Sequence, residues 1–152
     1  MIPYVILNCM LLANSLWFAL RNKVHRNTVK NVYLFTSGLW LVLFAGFRGD
    51  FTSDYKNYAW LFRYYNQFDF SQILERQFGQ EIGYVFINRL IGVFSNNVVW
   101  VMLITSCLIV VLFLMEIRRD SVYVWLSVFM FVTIGQYFTS FNLIRQILAA
   151  AI

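Results

Sequence analysis

The chain has 152 residues, of which 61% are hydrophobic, 20% aromatic and only 12% charged, with a formal net charge of +5 and a mean hydropathy of +0.65. Charges this sparse, gathered into short segments between long uncharged runs, exclude a soluble domain, whose surface helices need one polar stripe facing water. The basic excess calls for no nucleic acid, because Lys and Arg on cytoplasmic loops supply it in membrane proteins.

Four runs lack Asp, Glu, Lys and Arg altogether: Met1 to Leu20, Asn31 to Phe47, Leu90 to Met115 and Ser121 to Ile144. A bilayer core of about 30 Å is crossed by roughly 20 apolar residues in a helix. The first run predicts a span over about Ile2 to Leu20. It has no basic leader or evident cleavage site, and Asn8 and Asn14 interrupt it, so it reads as a retained span rather than a signal peptide. Arg21, Lys23, Arg26 and Lys30 follow without an acid, which places that segment in the cytoplasm. His25 among them reads as a loop histidine. A second span, about Val32 to Phe47, returns to the outer side. Cys9 and Cys107 lie in apolar runs and read as two buried, reduced thiols.

Arg48 to Glu81 is the longest polar stretch and holds five of the seven acids: Asp50, Asp54, Asp69, Glu75 and Glu81. The orientation makes it an extracytoplasmic loop. Tyr55, Tyr58, Phe62 and Tyr65 recur at helical spacing, which predicts a helix lying along the membrane surface. Its aromatic density fits either an interfacial belt or rings that stack on sugars. Ile82 to Phe94 is short and contains Asn88 and Arg89, so it is expected to be a helix on the outer side that does not cross. After Ser95 to Asn97, Val98 to Met115 is a full span, which leaves Arg118 and Arg119 in the cytoplasm. Tyr123 to Phe138 then crosses outward, and Phe141 to Ile152 begins a further helix with no cap or basic anchor, as in the N-terminal part of a longer protein. The expected fold is all-α: one polytopic membrane domain over 1–152, with about four spans, a short outer helix and the start of another.

Charges at the membrane boundaries are the chemically unusual feature. Arg48 closes the second span, and Asp50 and Asp54 follow. Glu81 opens the short helix, with Tyr84 and Asn88 on one face. Arg145, followed by Gln146, lies within a highly apolar stretch. An ionisable group there is costly and ordinarily faces a partner or a cavity. Lys56, Arg63 and Arg76 read as ordinary loop charges. No metal-ligand spacing, nucleotide loop or nucleophile elbow is present, and Gly46, Gly49, Gly79 and Gly83 stand isolated.

Three segments together resemble a known family. Phe47-Arg48-Gly49-Asp50-Phe51-Thr52-Ser53-Asp54-Tyr55-Lys56-Asn57-Tyr58 is similar to the Arg…Gly-Thr-Asp-x-x-x-Tyr loop of EpsG-like proteins, Wzy-type bacterial polymerases of O-antigen, capsule and exopolysaccharide. Glu81-Ile82-Gly83-Tyr84, with Asn88, resembles the family's Glu-Pro-Gly-Tyr…Leu-Asn stretch. Phe141-Asn142, Arg145-Gln146 and Ala149 to Ala151 resemble its Phe-Asn…Arg-Gln…Ala segment. Thr52-Ser53 and Ile82 depart from the usual Gly-Thr and Pro, which affects local backbone shape and leaves the acidic and aromatic residues in place.

The resemblance implies a multi-pass protein of the bacterial cytoplasmic membrane. It would transfer a polyprenyl-diphosphate-linked glycan onto a second lipid-linked repeat unit at the outer face; no cofactor is expected, and the sequence leaves open whether a divalent cation helps. A chain-length regulator and a flippase are its expected partners. In that reading Arg48 and Arg145 hold the departing diphosphate, and Asp54 or Glu81 activates the attacking hydroxyl. Tyr55, Tyr58, Tyr84 and Gln146 contact substrate. A glycan ligase would share the donor clamp, and a lipid-linked-glycan transporter would need the clamp without the acids.

Overall fold

The computed structural model describes residues 2–21, 26–49, 55–75 and 82–142, and every regular element among them is helical. The helices are α1 (Ile2–Arg21), α2 (Arg26–Gly46), α3 (Tyr55–Tyr65), α4 (Phe70–Glu75), α5 (Ile82–Phe94), α6 (Val98–Asp120), α7 (Val124–Thr133) and α8 (Gln136–Asn142). Asn27–Gly46 of α2 and Val98–Asp120 of α6 are long and apolar enough to cross a bilayer. Large apolar side chains cover the outside of these helices as well as the inside. Phe35, Leu39 and Trp40 on α2 and Trp100, Leu108, Val111 and Met115 on α6 are all exposed, as expected of helices whose outer solvent is hydrocarbon rather than water. Cys9 and Cys107 are free thiols on this exposed surface, not buried as the sequence suggested.

α2 and α6 pack most extensively, and glycines let them approach. A side chain at Gly46 would run into Leu103 and come within 3.3 Å of its Cα, and one at Gly38 would meet Leu114 Cδ1 at 2.8 Å. Small residues at helix contacts are the main device by which membrane helices pack closely. The pair is antiparallel: Gly46 faces Leu103 near the start of α6, whereas Lys30 Nζ donates to the carbonyl of Arg118 near its end at 2.8 Å. Arg118 therefore lies at the Lys30 end of the bundle, opposite Arg48, as the basic-loop argument requires of Val98 to Met115 crossing alone.

α1 returns along α2, and the polar residues that interrupt their apolar faces find one another. Asn14 Nδ2 donates to Thr36 Oγ1 (2.9 Å) and Ser37 Oγ (2.7 Å). Ser15 and the Tyr33 hydroxyl are 3.2 Å apart, and the Phe18 and Tyr33 rings lie at 4.9 Å. Two boundaries differ from expectation. α2 starts at Arg26, so Arg26 and Lys30 of the basic segment belong to its first two turns and not to a loop. The outward span predicted over Tyr123 to Phe138 is broken: α7 stops at Thr133, Gly135 takes φ +92°, and α8 starts afresh. α7 and α8 still run in the direction of α2, because the Tyr33 hydroxyl donates to the Trp125 carbonyl and the Tyr137 hydroxyl to the Leu41 carbonyl at 2.6 Å.

α3, α4 and α5 form a second layer at the Arg48 end. The face of α3 carrying Tyr58, Leu61, Phe62 and Tyr65 is buried in a cluster with Val85 and Ile91 of α5 and Val101 and Met102 of α6. The spacing of the tyrosines predicted this helix. Its apolar face, however, is turned onto the protein rather than left for lipid. The Asp69 amide donates to Gln72 Oε1 at 3.0 Å, half of a capping box that starts α4. Arg89 ties the α3–α4 turn to α5, donating to the Asn66 carbonyl, pairing with Asp69 at 3.4 Å and lying over the Phe70 ring. Ser95 to Asn97 stop α5 and start α6: Ser95 Oγ accepts from the Asn97 amide, and the Asn97 side chain caps the Val99 amide at 3.0 Å.

The arrangement makes a labelling prediction. In a background lacking Cys9 and Cys107, single cysteines at Ser53, Ser71 and Asn96 should react with an impermeant maleimide in intact spheroplasts, and one at Asp120 only after lysis. Labelling of Asn96 only after lysis would make α5 a crossing helix. Labelling of the first two only after lysis would invert the whole bundle.

Candidate functional site

Arg48 stands where α2 runs out. The Phe47 amide still bonds to the Leu43 carbonyl at 3.0 Å, Arg48 itself is no longer helical, and Gly49 turns the chain with φ +51°, a conformation glycine adopts without strain. Arg48 thus follows directly on the carbonyl end of α2, where the helix dipole favours a cation. It is 2% exposed. Its Nη2 donates to Met102 Sδ of α6 at 3.0 Å.

Four phenols lie within electrostatic range of this cation. Burial pushes the Arg48 guanidinium below its ordinary value, and Tyr58, Tyr137, Tyr84 and Tyr55, in that order, act in the opposite direction. Arginine starts so high that it keeps its charge at neutral pH regardless. Tyr55 and Tyr58 come from α3, Tyr84 from α5 and Tyr137 from α8, so three separate elements converge on one cation at the end of a fourth. Tyr58 and Tyr84 meet edge to face with centroids 6.1 Å apart.

One turn along α5 from Tyr84 is Asn88, wholly buried. Its Nδ2 donates to the Tyr84 carbonyl at 2.7 Å, and its Oδ1 has no hydrogen-bond partner among the described residues. An orphaned buried acceptor costs about 1–3 kcal/mol, so the site carries a polar atom whose demand the described residues leave unmet.

Of the residues singled out from sequence, Arg48, Tyr55, Tyr58 and Tyr84 are brought together. Asp54, Glu81, Arg145 and Gln146 lie outside the described residues, as does Asp50. Tyr58 and Tyr84 are only 4% and 3% exposed. Their rings are enclosed, so they are not open platforms for a sugar. Sequence reasoning missed Met102 and Tyr137, which sit in uncharged runs and carry no local signal.

A model of the EpsG family matches residues 31–152. No curated protein and no solved structure matches the chain. The matched region starts in the first turns of α2 and takes in Arg48, the tyrosines around it and everything that follows.

Proposed function

Because the chain belongs to the EpsG family, we propose that it takes part in joining polyprenyl-diphosphate-linked oligosaccharide repeat units into surface polysaccharide at the outer face of the bacterial cytoplasmic membrane. The observation that carries this reading is Arg48, a buried guanidinium at the end of a membrane-length helix, with its surroundings built from phenols of three elements. An ionisable group at a membrane boundary ordinarily faces a partner or a cavity, and the diphosphate of a lipid-linked sugar is an anion that suits this one.

The reaction assigns each group a task. A hydroxyl oxygen of the acceptor sugar attacks the anomeric carbon of the donor and forms the new glycosidic bond. The bond from that carbon to the diphosphate oxygen breaks, and the polyprenyl diphosphate departs with the electron pair. Arg48, with Arg145 as the second donor, stabilises the charge gathering on the diphosphate. Asp54 or Glu81 accepts the hydroxyl proton. Tyr55, the least enclosed of the three predicted tyrosines, and Gln146 contact the sugar, while Tyr58 and Tyr84 fix the guanidinium.

The test is reconstitution of the full-length protein in liposomes with a polyprenyl-diphosphate oligosaccharide. A ladder of glycans, each one repeat longer, is expected from the native protein. Asp54→Asn or Glu81→Gln should abolish the ladder while the lipid-linked donor still binds. Movement of the glycan across the bilayer with no new glycosidic bond would show a transporter instead.

A further inference from the structure

The geometry points to a second site on the outward face of α3: a subsite for an anionic glycan, formed by Trp60 between Lys56 and Arg63. That the occupant in the cell is the polysaccharide substrate or product rests on the function proposed above. That the face binds acidic sugars does not.

Lys56, Trp60, Arg63 and Gln67 follow one another at intervals of four, three and four residues, which aligns them as one stripe along α3 and the turn after it. All four are exposed. With a rise of about 1.5 Å per residue, Lys56 and Arg63 are spaced roughly 10 Å apart along the axis. Neither makes an ion pair among the described residues. The nearby carboxylate Asp69 is instead engaged by Arg89. Trp60 is 57% exposed, yet its ring is held: it stacks on Tyr64 one turn later, with centroids 5.3 Å apart and planes 8° from parallel. Tyr64 is in turn packed edge to face against Tyr65 and Phe68. One face of the indole is thereby fixed and the other is open.

This combination suits an acidic sugar chain. The π face of an indole is negative and receives the weakly positive C–H face of a pyranose. A guanidinium and an ammonium on either side supply the countercharge for carboxylates, the guanidinium as a two-pronged donor. Two adjacent sugar units fit the distance between them.

The surface of the bilayer is the competing occupant, and the structure argues against it. A helix that lies in the interface buries its apolar side in lipid and keeps its cations on the other side. In α3 the apolar side is already spent on α5 and α6, and Trp60 shares the polar side with Lys56, Asn57 and Arg63, all exposed. The apolar groove of Leu34, Phe35, Gly38, Cys107 and Val111 between α2 and α6 is by contrast an ordinary lipid-facing surface.

The probe is tetragalacturonate, titrated calorimetrically into the full-length protein in phosphatidylcholine nanodiscs, with maltotetraose as its neutral counterpart. Tetragalacturonate should bind, and should bind about tenfold more weakly to Trp60→Ala and to the Lys56→Gln/Arg63→Gln double variant. Trp60→Phe should recover part of the affinity. Binding should fall with added salt, and maltotetraose should be weaker than the acid throughout. Equal binding of both sugars, or affinity unchanged in both variants, would overturn the site. So would quenching by brominated lipid that is present in the native protein and lost in Trp60→Phe, since it would place the indole in the bilayer. A protein that polymerises but ignores tetragalacturonate would refute this site and leave the proposed activity standing; one that binds it but makes no polymer would do the reverse.

Discussion

Arg48→Lys should reduce polymer formation about a hundredfold or more, the cost of losing a donor at a developing anion, roughly 3–4 kcal/mol, while the protein still accumulates in the membrane. The substitution keeps the positive charge, so the loss would report geometry. Lysine offers a single rotating ammonium where arginine offers a planar fork. At a position that is 2% exposed, little water can enter to fill the gap. Lysine also cannot span from the end of α2 to Met102 Sδ, which Nη2 now reaches at 3.0 Å, and approach the phosphate with the same head group. The measurement is glycan chain length on a gel, normalised to protein in the membrane fraction, with Arg145→Lys alongside. Comparable losses in both would support two donors on one diphosphate. Near-normal polymer from Arg48→Lys would reduce Arg48 to a cation that only caps the carbonyl end of α2.

Gly46→Leu should be strongly damaging although it lies away from the charged groups. Even a methyl group there meets Leu103 Cγ at 2.6 Å and the Leu103 Cα at 3.3 Å. The near atoms include backbone, so the helices must separate rather than a side chain merely turn. Overpacking of this kind costs about 1–3 kcal/mol. It also acts one residue away from Met102 and two from Arg48, so activity should fall further than stability. Gly38→Ala is the contrast: the nearest atom is the flexible end of Leu114, at 2.8 Å, and a small loss is expected. Thermal unfolding in detergent, read beside polymer yield, separates the two effects. Leu103→Ala combined with Gly46→Leu should restore much of both. If Gly46→Leu were as mild as Gly38→Ala, the close approach of α2 and α6 would be disproved.

What could be read from sequence follows how local each feature is. α1 matches the first uncharged run almost residue for residue, although among the described residues only α2 and α6 are long and apolar enough to cross a bilayer. α3 was legible in the spacing of Tyr58, Phe62 and Tyr65, and the stop before α6 in Ser95 to Asn97, whose side chains act within two residues. The direction of α6 followed from Arg118 and Arg119 and is matched by the Lys30 contact. The neighbours of Arg48 were only half visible. Tyr55 lies seven residues away and resembles a family motif, whereas Met102 and Tyr137 approach from 54 and 89 positions along the chain and look like any other apolar-run residue. Gly46 reads as an unremarkable glycine until α6 is laid against it. The enclosure of Tyr58 and Tyr84 is equally invisible, since spacing shows which face a tyrosine occupies and not what will cover it.

The break at Gly135 has a consequence for how the chain enters the membrane. α7 has ten residues, about 15 Å of helix, against an apolar thickness of about 30 Å. Alone it would strand its last carbonyls in hydrocarbon, where each unmatched backbone group costs several kcal/mol. α8 adds seven residues, about 10 Å more, and the Tyr137 hydroxyl ties it to α2 through the Leu41 carbonyl. If the pair enters the bilayer, α7 therefore depends on α8 and on its bond to α2.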